Sequence, residues 1–537
     1  MQKREYDYVI VGAGSAGCVL ANRLSENGKH SVLVIEAGKA DKALTLRVPG
    51  FVGMELPSPR HNWCYYTESQ EHLGDRKMYW PRGKTLGGSS SINGMIYVRG
   101  HAGDYDEWAD LGCDGWSFKD VLPYFKKSED YEGESDDYRT KGGPLHVSTD
   151  SSINPLNEAF IKSGEAMGLP YNAGFNGAIQ EGVGRFDTTI KDGRRWSTST
   201  AFLKPAMDRG NLFVATKMLA HKVVFEGTRA CGVEVSHKNE TFVIKATKEV
   251  ILSGGAINTP QLLLLSGIGD QDELKAHGID VKHHLPGVGK NLQDHLDTTP
   301  MALLSQPISV KRMLNPFRAL HALARWSLKM PSELSGSIVP SGAFFKSQPS
   351  VDRPDLQLHL ILGMADEPHG FKLPTKHGMG IHCCILRPKS RGHVGLKSAN
   401  PEDYVVIEPN YYSDPHDLAL TRESVRFCLK LMEQEPLKPF VKELYGPWEG
   451  SYAEMDDDSL DDVIRETSES IYHPVGTCAM GAVDDAAAVL DPQLRVKGVQ
   501  GLRVVDASVM PRITGGNTNA PTIMIGEKGS DMILADA

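Results

Sequence analysis

The stretch YDYVIVGAGSAGCVLANRLSENGKHSVLVIEAG, residues 6 to 38, constrains this chain more than any other. Tyr8 to Val11 form a short apolar run that predicts a strand. From Ser15 the apolar Val19, Leu20 and Leu24 recur at helical spacing, Asn27-Gly28 ends that helix, and Val32 to Ile35 predict the next strand. Strand, helix and strand in so short a span make a βαβ unit, which belongs to an α/β fold with a parallel sheet. The connecting loop reads Gly12-x-Gly14-x-x-Gly17, and Glu36 closes the second strand. Gly12 permits the tight turn, Gly14 lets the backbone approach a pyrophosphate, and Gly17 lets helix and strand pack closely. The helix N-terminus offers free N–H groups to the phosphates, and Glu36 can accept hydrogen bonds from a ribose diol. These features predict a bound dinucleotide, with FAD and NAD both open.

Two later passages repeat the association of glycine with apolar neighbours. GKTLGGSSSINGMIYVRG, residues 83 to 100, cannot run as a helix through Gly87-Gly88 and the serines, yet it carries Leu86, Ile92, Met95 and Ile96. Small residues set among apolar ones predict a backbone pressed against a flat ligand. VILSGGAINTPQLLLLSGIG, residues 250 to 269, predicts a strand, the pair Gly254-Gly255, an N-cap at Asn258 or Thr259, Pro260 in the first turn, and a buried leucine-rich helix.

At 537 residues the chain can bury a large core, and 40% hydrophobic with 23% charged residues is a globular composition. A net charge of −10 argues against a nucleic-acid partner, which requires a concentrated basic face. The eight cysteines show no CxxC spacing, so they are expected to be reduced thiols in a reducing compartment, with no metal bound. No apolar run is long enough to span a bilayer and the N-terminus has no signal-peptide pattern, which predicts a cytoplasmic protein with peripheral membrane association as its variant.

SIYHPVGTCAMG, residues 470 to 481, sets His473 in an apolar context. Taken alone, such a histidine reads as a hydrogen-bonded core residue. As chemistry, an imidazole of ordinary pKa near 6.5 can stay neutral at working pH and receive a proton from an alcohol.

GKTLGGSSSINGMIYVRGHAGDYD and GAINTPQLLLLSGIG resemble the two signature segments of the glucose-methanol-choline (GMC) oxidoreductases. LPGVGKNLQDHL, YHPVGTCAMG and VVDASVMPRITGGNTNAPTIMIGEKGSDMI are similar to that family's later segments, in the same order from Tyr6 to about Ile533. The resemblance implies FAD as cofactor, His473 as the active-site base, and Asn517 as its partner across the substrate oxygen, a place where some members carry a second histidine. It implies hydride transfer from the alcohol carbon to flavin N5, a step no side chain can accept. By the same resemblance Ser15, Ala16 and Glu36 lie near the pyrophosphate and adenosine ribose. Ser89, Asn93, Gly94 and Ile96 surround the pyrophosphate and isoalloxazine, Ala220 meets the adenine, and Asp506, Ala507 and Thr518 stand near the flavin end.

Two departures refine the expectation. Relatives like choline oxidase hold the flavin covalently through a histidine where this chain has Ile92, so FAD is expected to be noncovalent. Choline-specific members carry a glutamate where SIVPSGAFF places Pro340 and Ser341, which disfavours choline. The expected reaction is oxidation of a primary alcohol to the aldehyde, with electrons passed to a quinone, a dye or another acceptor. An oxygen-using aryl or furfuryl alcohol oxidase and a flavin-containing hydroxynitrile lyase are the alternatives.

The expected architecture is a Rossmann-like FAD-binding domain, discontinuous over 1–155, 196–297 and 462–537, and an α+β substrate domain over 156–195 and 298–461. The latter is predicted to hold an antiparallel sheet from runs such as DLQLHLILGM and GIHCCILRP. FRALHALARWSLK, residues 317 to 329, predicts an amphipathic helix with Phe317, Leu320, Leu323 and Ala324 on one face and basic residues elsewhere, packed on the protein, with a membrane-surface or lid helix as the alternative. His283, His284 and His295 lack the companions of a metal site, and EMDDDSLDD, residues 454 to 462, reads as a solvated loop and helix start.

Overall fold

The computed structural model describes residues 4–150, 152–364, 374–450 and 455–537. The predicted βαβ unit forms as read: β1 (Glu5–Val11), α1 (Ser15–Ser25) and β2 (Val32–Glu36). They join β3 (Leu212–Thr216), β4 (Leu219–Glu226), β5 (Arg229–His237), β6 (Glu240–Leu252) and β7 (Leu502–Val504) in one sheet of order β3-β2-β1-β6-β5-β4, with β7 beside β6. β1, β2, β3, β6 and β7 run parallel, and β2, between β1 and β3, is buried on both faces, as a central parallel strand requires. The register aligns Val11 with Ile35 and Leu252, and Thr216 with Glu36, so the strand ends open on one crevice.

α2 (Gly255–Leu265) follows β6. Its start differs from the expected one: Gly254 caps it, and Asn258 and Thr259 lie inside. Two tertiary contacts make this tolerable. The Thr259 hydroxyl accepts from Gly254 N and donates to Asp506. Pro260 has no N–H to give the carbonyl of Ala256, and the Thr477 hydroxyl donates to that carbonyl instead, at 2.7 Å.

The second sheet is antiparallel, as predicted. Its strand order is Val441–Leu444, Met301–Leu304, Gly378–Ile385, Leu356–Ile361, Ser341–Phe345 and Gly182–Arg185. Leu296–Thr298 adds beside Gly378–Ile385 and carries Glu469–Ser470 on its other side. In Leu356–Ile361 the leucines at 356, 358 and 360 join the substrate-side core, and Gln357, His359 and Ile361 face the other way. Two further helices are α3 (Pro316–Ser327) and α4 (Asn519–Ala535). α4 packs across α1 so closely that a methyl at Gly526 would meet Ala16 and Val19 at 3.0–3.2 Å. Asp457–Thr467 forms the helix expected after the acidic run, capped by Asp456, while Glu454 lies outside the described residues.

Candidate active site

A continuous cavity of about 1110 Å³ runs from the crevice of the parallel sheet to the face of the antiparallel one. Gly12, Gly14, Ser15, Ala16, Glu36, Ser89, Asn93, Gly94, Ile96, Ala220, Asp506, Ala507 and Thr518 line it, and His473 and Asn517 stand at its far part, near His359 of the antiparallel sheet. Of the predicted site residues only Gly17 does not line it. A Cβ there would run into the Gly12 carbonyl oxygen, so its glycine serves helix-on-strand packing. Gly12 has φ +105 and a Cβ would strike Ser253. Gly14 and Gly94, in contrast, line the cavity, and a methyl added at either would find no protein atom nearer than 3.8 Å, which is the open surface a closely approaching ligand needs.

Several polar side chains here are committed to the protein. Glu36 accepts from Ala13 N at 3.0 Å and Gly38 N at 2.7 Å, which shapes the glycine loop, and burial pushes its carboxyl up to about 7. Asp506 accepts from Gly255 N, Thr259 and Ser508. Asn93 accepts from Arg195 and Met95 N, and Ser15 donates to Asn519.

His473 is placed by a rigid support. Tyr472 has φ +68, and Pro474 restricts the histidine's own backbone to extended conformations. Asp294, wholly enclosed, accepts from His473 N at 2.8 Å and from the hydroxyls of Ser470 and Tyr411; burial pushes its carboxyl up to about 6. Arg82 donates to the Tyr472 carbonyl. Asn517 arrives from the opposite side after Gly515-Gly516, where Gly515 N donates to Asp104 at 2.7 Å.

The ring of His473 contacts His295 through Nδ1 at 3.0 Å and the Asn517 amide nitrogen through Nε2 at 3.1 Å. His295 Nε2 lies 3.1 Å from the Leu386 carbonyl. A carbonyl can only accept, so His295 carries its proton on Nε2, and burial lowers its pKa to about 3, which keeps it neutral. Its Nδ1 is then an acceptor, His473 must carry hydrogen on Nδ1, and the lone pair of His473 Nε2 faces Asn517 and the cavity. Burial, followed by the neighbouring imidazoles of His295 and His359 and the Arg82 guanidinium, holds the His473 pKa well below 6.5. The arrangement is a neutral base whose free nitrogen sits beside an amide donor.

The antiparallel sheet adds groups that sequence reasoning did not single out. His359 and His382 are directly paired across neighbouring strands, and both line the cavity. His359 interacts with the Asn517 side chain, although the buried Nδ1 of His359 and the buried amide oxygen of Asn517 make no hydrogen bond of ordinary geometry among the described residues. His382 meets the enclosed carboxylate of Asp297 and the Thr299 hydroxyl. The signal for His359 was the alternation of Leu356, Leu358 and Leu360 with polar residues in a strand buried on both faces. Met301, Val310, Ile338, Val339, Ile361 and Met364 make the rest of this part largely apolar. Among the described residues no cluster of histidine, cysteine and carboxylate could hold a metal, and His295 serves His473 instead.

The N-terminal GMC oxidoreductase family profile matches residues 6–297 and the C-terminal one residues 388–526, and the chain belongs to this family. It is 45% identical to human mitochondrial choline dehydrogenase, over 98% of this chain and 90% of that protein. It is 46% identical to an alcohol dehydrogenase (acceptor) of Pseudomonas putida, over 98% and 96%. Pyridoxine 4-oxidase from Mesorbium loti superposes with a TM-score of 0.88 at 30% identity, covering 98% of both chains. The cofactor of this FAD flavoprotein family fits the cavity described above, and the chain is an oxidoreductase acting on CH–OH donors.

Proposed function

We infer that this chain oxidises a primary alcohol to its aldehyde, and the single observation that carries this reading is the His473–Asn517 pair at the far part of the cofactor cavity. Bound FAD supplies the hydride acceptor at its N5. His473 receives the hydroxyl proton on Nε2, and the imidazolium so formed keeps its Nδ1–H on His295. Asn517 donates its amide N–H to the oxygen on which negative charge develops. His359, which lines the cavity and interacts with Asn517, adds a second polar group beside the pair. The apolar wall of Met301, Val310, Ile338, Val339, Ile361 and Met364 favours an alcohol with an uncharged body and keeps water from the reacting atoms.

FAD is held noncovalently in this reading, because buried Ile92, which lines the cavity, offers no nucleophile to the ring. Acid-precipitated protein should release its flavin to the supernatant, and retention in the pellet would contradict the reading. Cofactor binding is assigned to residues 1–155, 196–297 and 462–537, and substrate binding to 156–195 and 298–461. Electrons leave to a quinone or a dye-like acceptor in this reading, and the Pseudomonas putida relative is likewise named for an acceptor.

Choline is the second reading, favoured by the human relative and by Glu469 and Trp448 at the cavity wall. Against it, Glu469 already pairs with Arg76 at 3.2 Å, and the segment with Pro340 and Ser341 brings Ile338 and Val339, not a carboxylate, to the cavity. Anaerobic mixing with aliphatic, aromatic and polyether alcohols and with choline tests both. Bleaching of the flavin by the uncharged alcohols supports the first reading, bleaching by choline alone supports the second, and loss of substrate without bleaching points to a lyase. Repeating the rates in oxygen and then with an artificial acceptor separates oxidase from dehydrogenase.

A further inference from the structure

α3 forms where the sequence places it, but it turns a different side inward from the expected one. Ala322 and Trp326 are buried against Val48 and Leu334, with Leu323 and Met313 packed at their edge. The Trp326 indole N–H donates to the Gly193 carbonyl at 2.6 Å, and the Arg194 guanidinium lies 4.5 Å above its ring. These polar anchors hold the tryptophan side of the helix against the protein. They leave Phe317 83% exposed, Leu320 67% and Leu328 71%, with Ala324 exposed between them. These positions recur every three or four residues, so they form one stripe along the outward side of the helix and just past its end. Leu314 and Met330, at its two ends, are exposed as well.

Cations flank this stripe. Lys311, Arg312, Arg318, Arg325 and Lys329 fall in a segment, residues 298 to 332, that contains no aspartate or glutamate, in a chain of net charge −10. Arg312 is paired with Glu333, and the other four make no ion pair among the described residues. An exposed apolar stripe bordered by unpaired cations matches the interfacial region of an anionic bilayer, where the apolar side enters the acyl boundary and the cations meet the headgroups. An isologous contact between two copies would instead set this basic border against itself.

We propose that the outward face of α3, centred on Phe317 and Leu320, docks the protein on an anionic lipid surface. No helix among the described residues is long and apolar enough to cross a membrane, so the attachment is peripheral. Val310, one turn before Leu314, lines the cavity, and so do Val52, Gly53 and Leu56. Docking therefore brings one wall of the cavity to the headgroup layer. The proposal stands apart from the reaction assigned above, because vesicle binding is read without turnover.

The test is co-sedimentation of the FAD-loaded enzyme with vesicles of phosphatidylcholine alone and of phosphatidylcholine with phosphatidylglycerol. Wild type should pellet with the phosphatidylglycerol vesicles and much less with the neutral ones, and raised salt should release it. The double variants Phe317→Ser/Leu320→Ser and Arg318→Gln/Lys329→Gln should each weaken binding by about tenfold or more. Both should keep wild-type flavin content and wild-type turnover with a soluble acceptor. Wild type that stays in the supernatant, or variants that bind as tightly as it does, overturn the proposal. Light scattering covers the rival occupant: a wild-type dimer that Phe317→Ser/Leu320→Ser converts to monomer would make this face a contact between copies and overturn it too.

Discussion

His295 and His473 meet through their Nδ1 atoms at 3.0 Å, and the far nitrogen of His295 is tied to the Leu386 carbonyl. Two neutral imidazoles in this relation cannot choose their tautomers independently. The backbone carbonyl sets the first, and the first sets the second. The nitrogen of His473 that faces the cavity is thereby left without a proton before any substrate arrives.

Replacing His295 with leucine should therefore lower kcat/KM for the alcohol by about ten- to a hundredfold, because a base with a free tautomer spends time wrongly protonated. His295→Asn places an amide oxygen near the Nδ1–H of His473 and should recover part of the loss. Equal activity of wild type and His295→Leu, measured across the pH range, would remove His295 from this role.

His473→Ala removes the base itself. A loss of about a hundredfold or more in kcat/KM is expected, with the flavin spectrum unchanged, since the cavity's cofactor-facing glycines are untouched. Steady-state kinetics on protein of verified flavin content decides it.

The pH profile has a defined sign. The His473 pKa lies well below the ordinary 6.5, so the neutral base is fully populated at pH 7, and kcat/KM should fall only on acidification below 6.5. Stability follows the same direction. Unfolded imidazoles take up protons near 6.5, whereas folded His295 does so only near pH 3. The stability this provides is complete above 6.5 and is lost by about 1.4 kcal/mol per pH unit on the way down. Thermal melts of wild type between pH 7 and 5 should shift more than those of His295→Asn.

Gly14 and Gly17 separate two kinds of glycine. Gly14→Val should yield folded protein with little FAD, because its side chain enters the cavity. Gly17→Ala should lower the melting temperature itself, since its methyl collides with the Gly12 carbonyl and overpacking of this kind costs about 1–3 kcal/mol or more. Flavin absorbance and apo-protein melts distinguish the two.

The cofactor side of the cavity is legible in the sequence because its signals are local: a turn, a helix start and an acid within one βαβ unit. His473 and Asn517 come through the family resemblance, and their meeting requires the fold. His295, His359 and His382 are not legible as site residues, since strand register alone pairs His359 with His382 on one wall, and His295, just before a strand, meets His473 only in the fold. The start of α2 departs from expectation because the usual preference of threonine and proline for helix ends is overridden by Asp506 and Thr477. The inward side of α3 departs for a similar reason: hydrophobicity ranks Phe317 with Trp326, but only the indole finds a carbonyl and a guanidinium.

The α1–α4 contact joins residues separated by nearly the whole chain: Ser15 to Asn519, and Arg23 to Glu527, each pair 504 positions apart. During synthesis the nucleotide loop emerges first, and the segment that steadies it emerges last. Stable cofactor capture is thus a late event in the life of the nascent chain, and a ribosome stalled before residue 517 would carry a loop with half of its cradle missing.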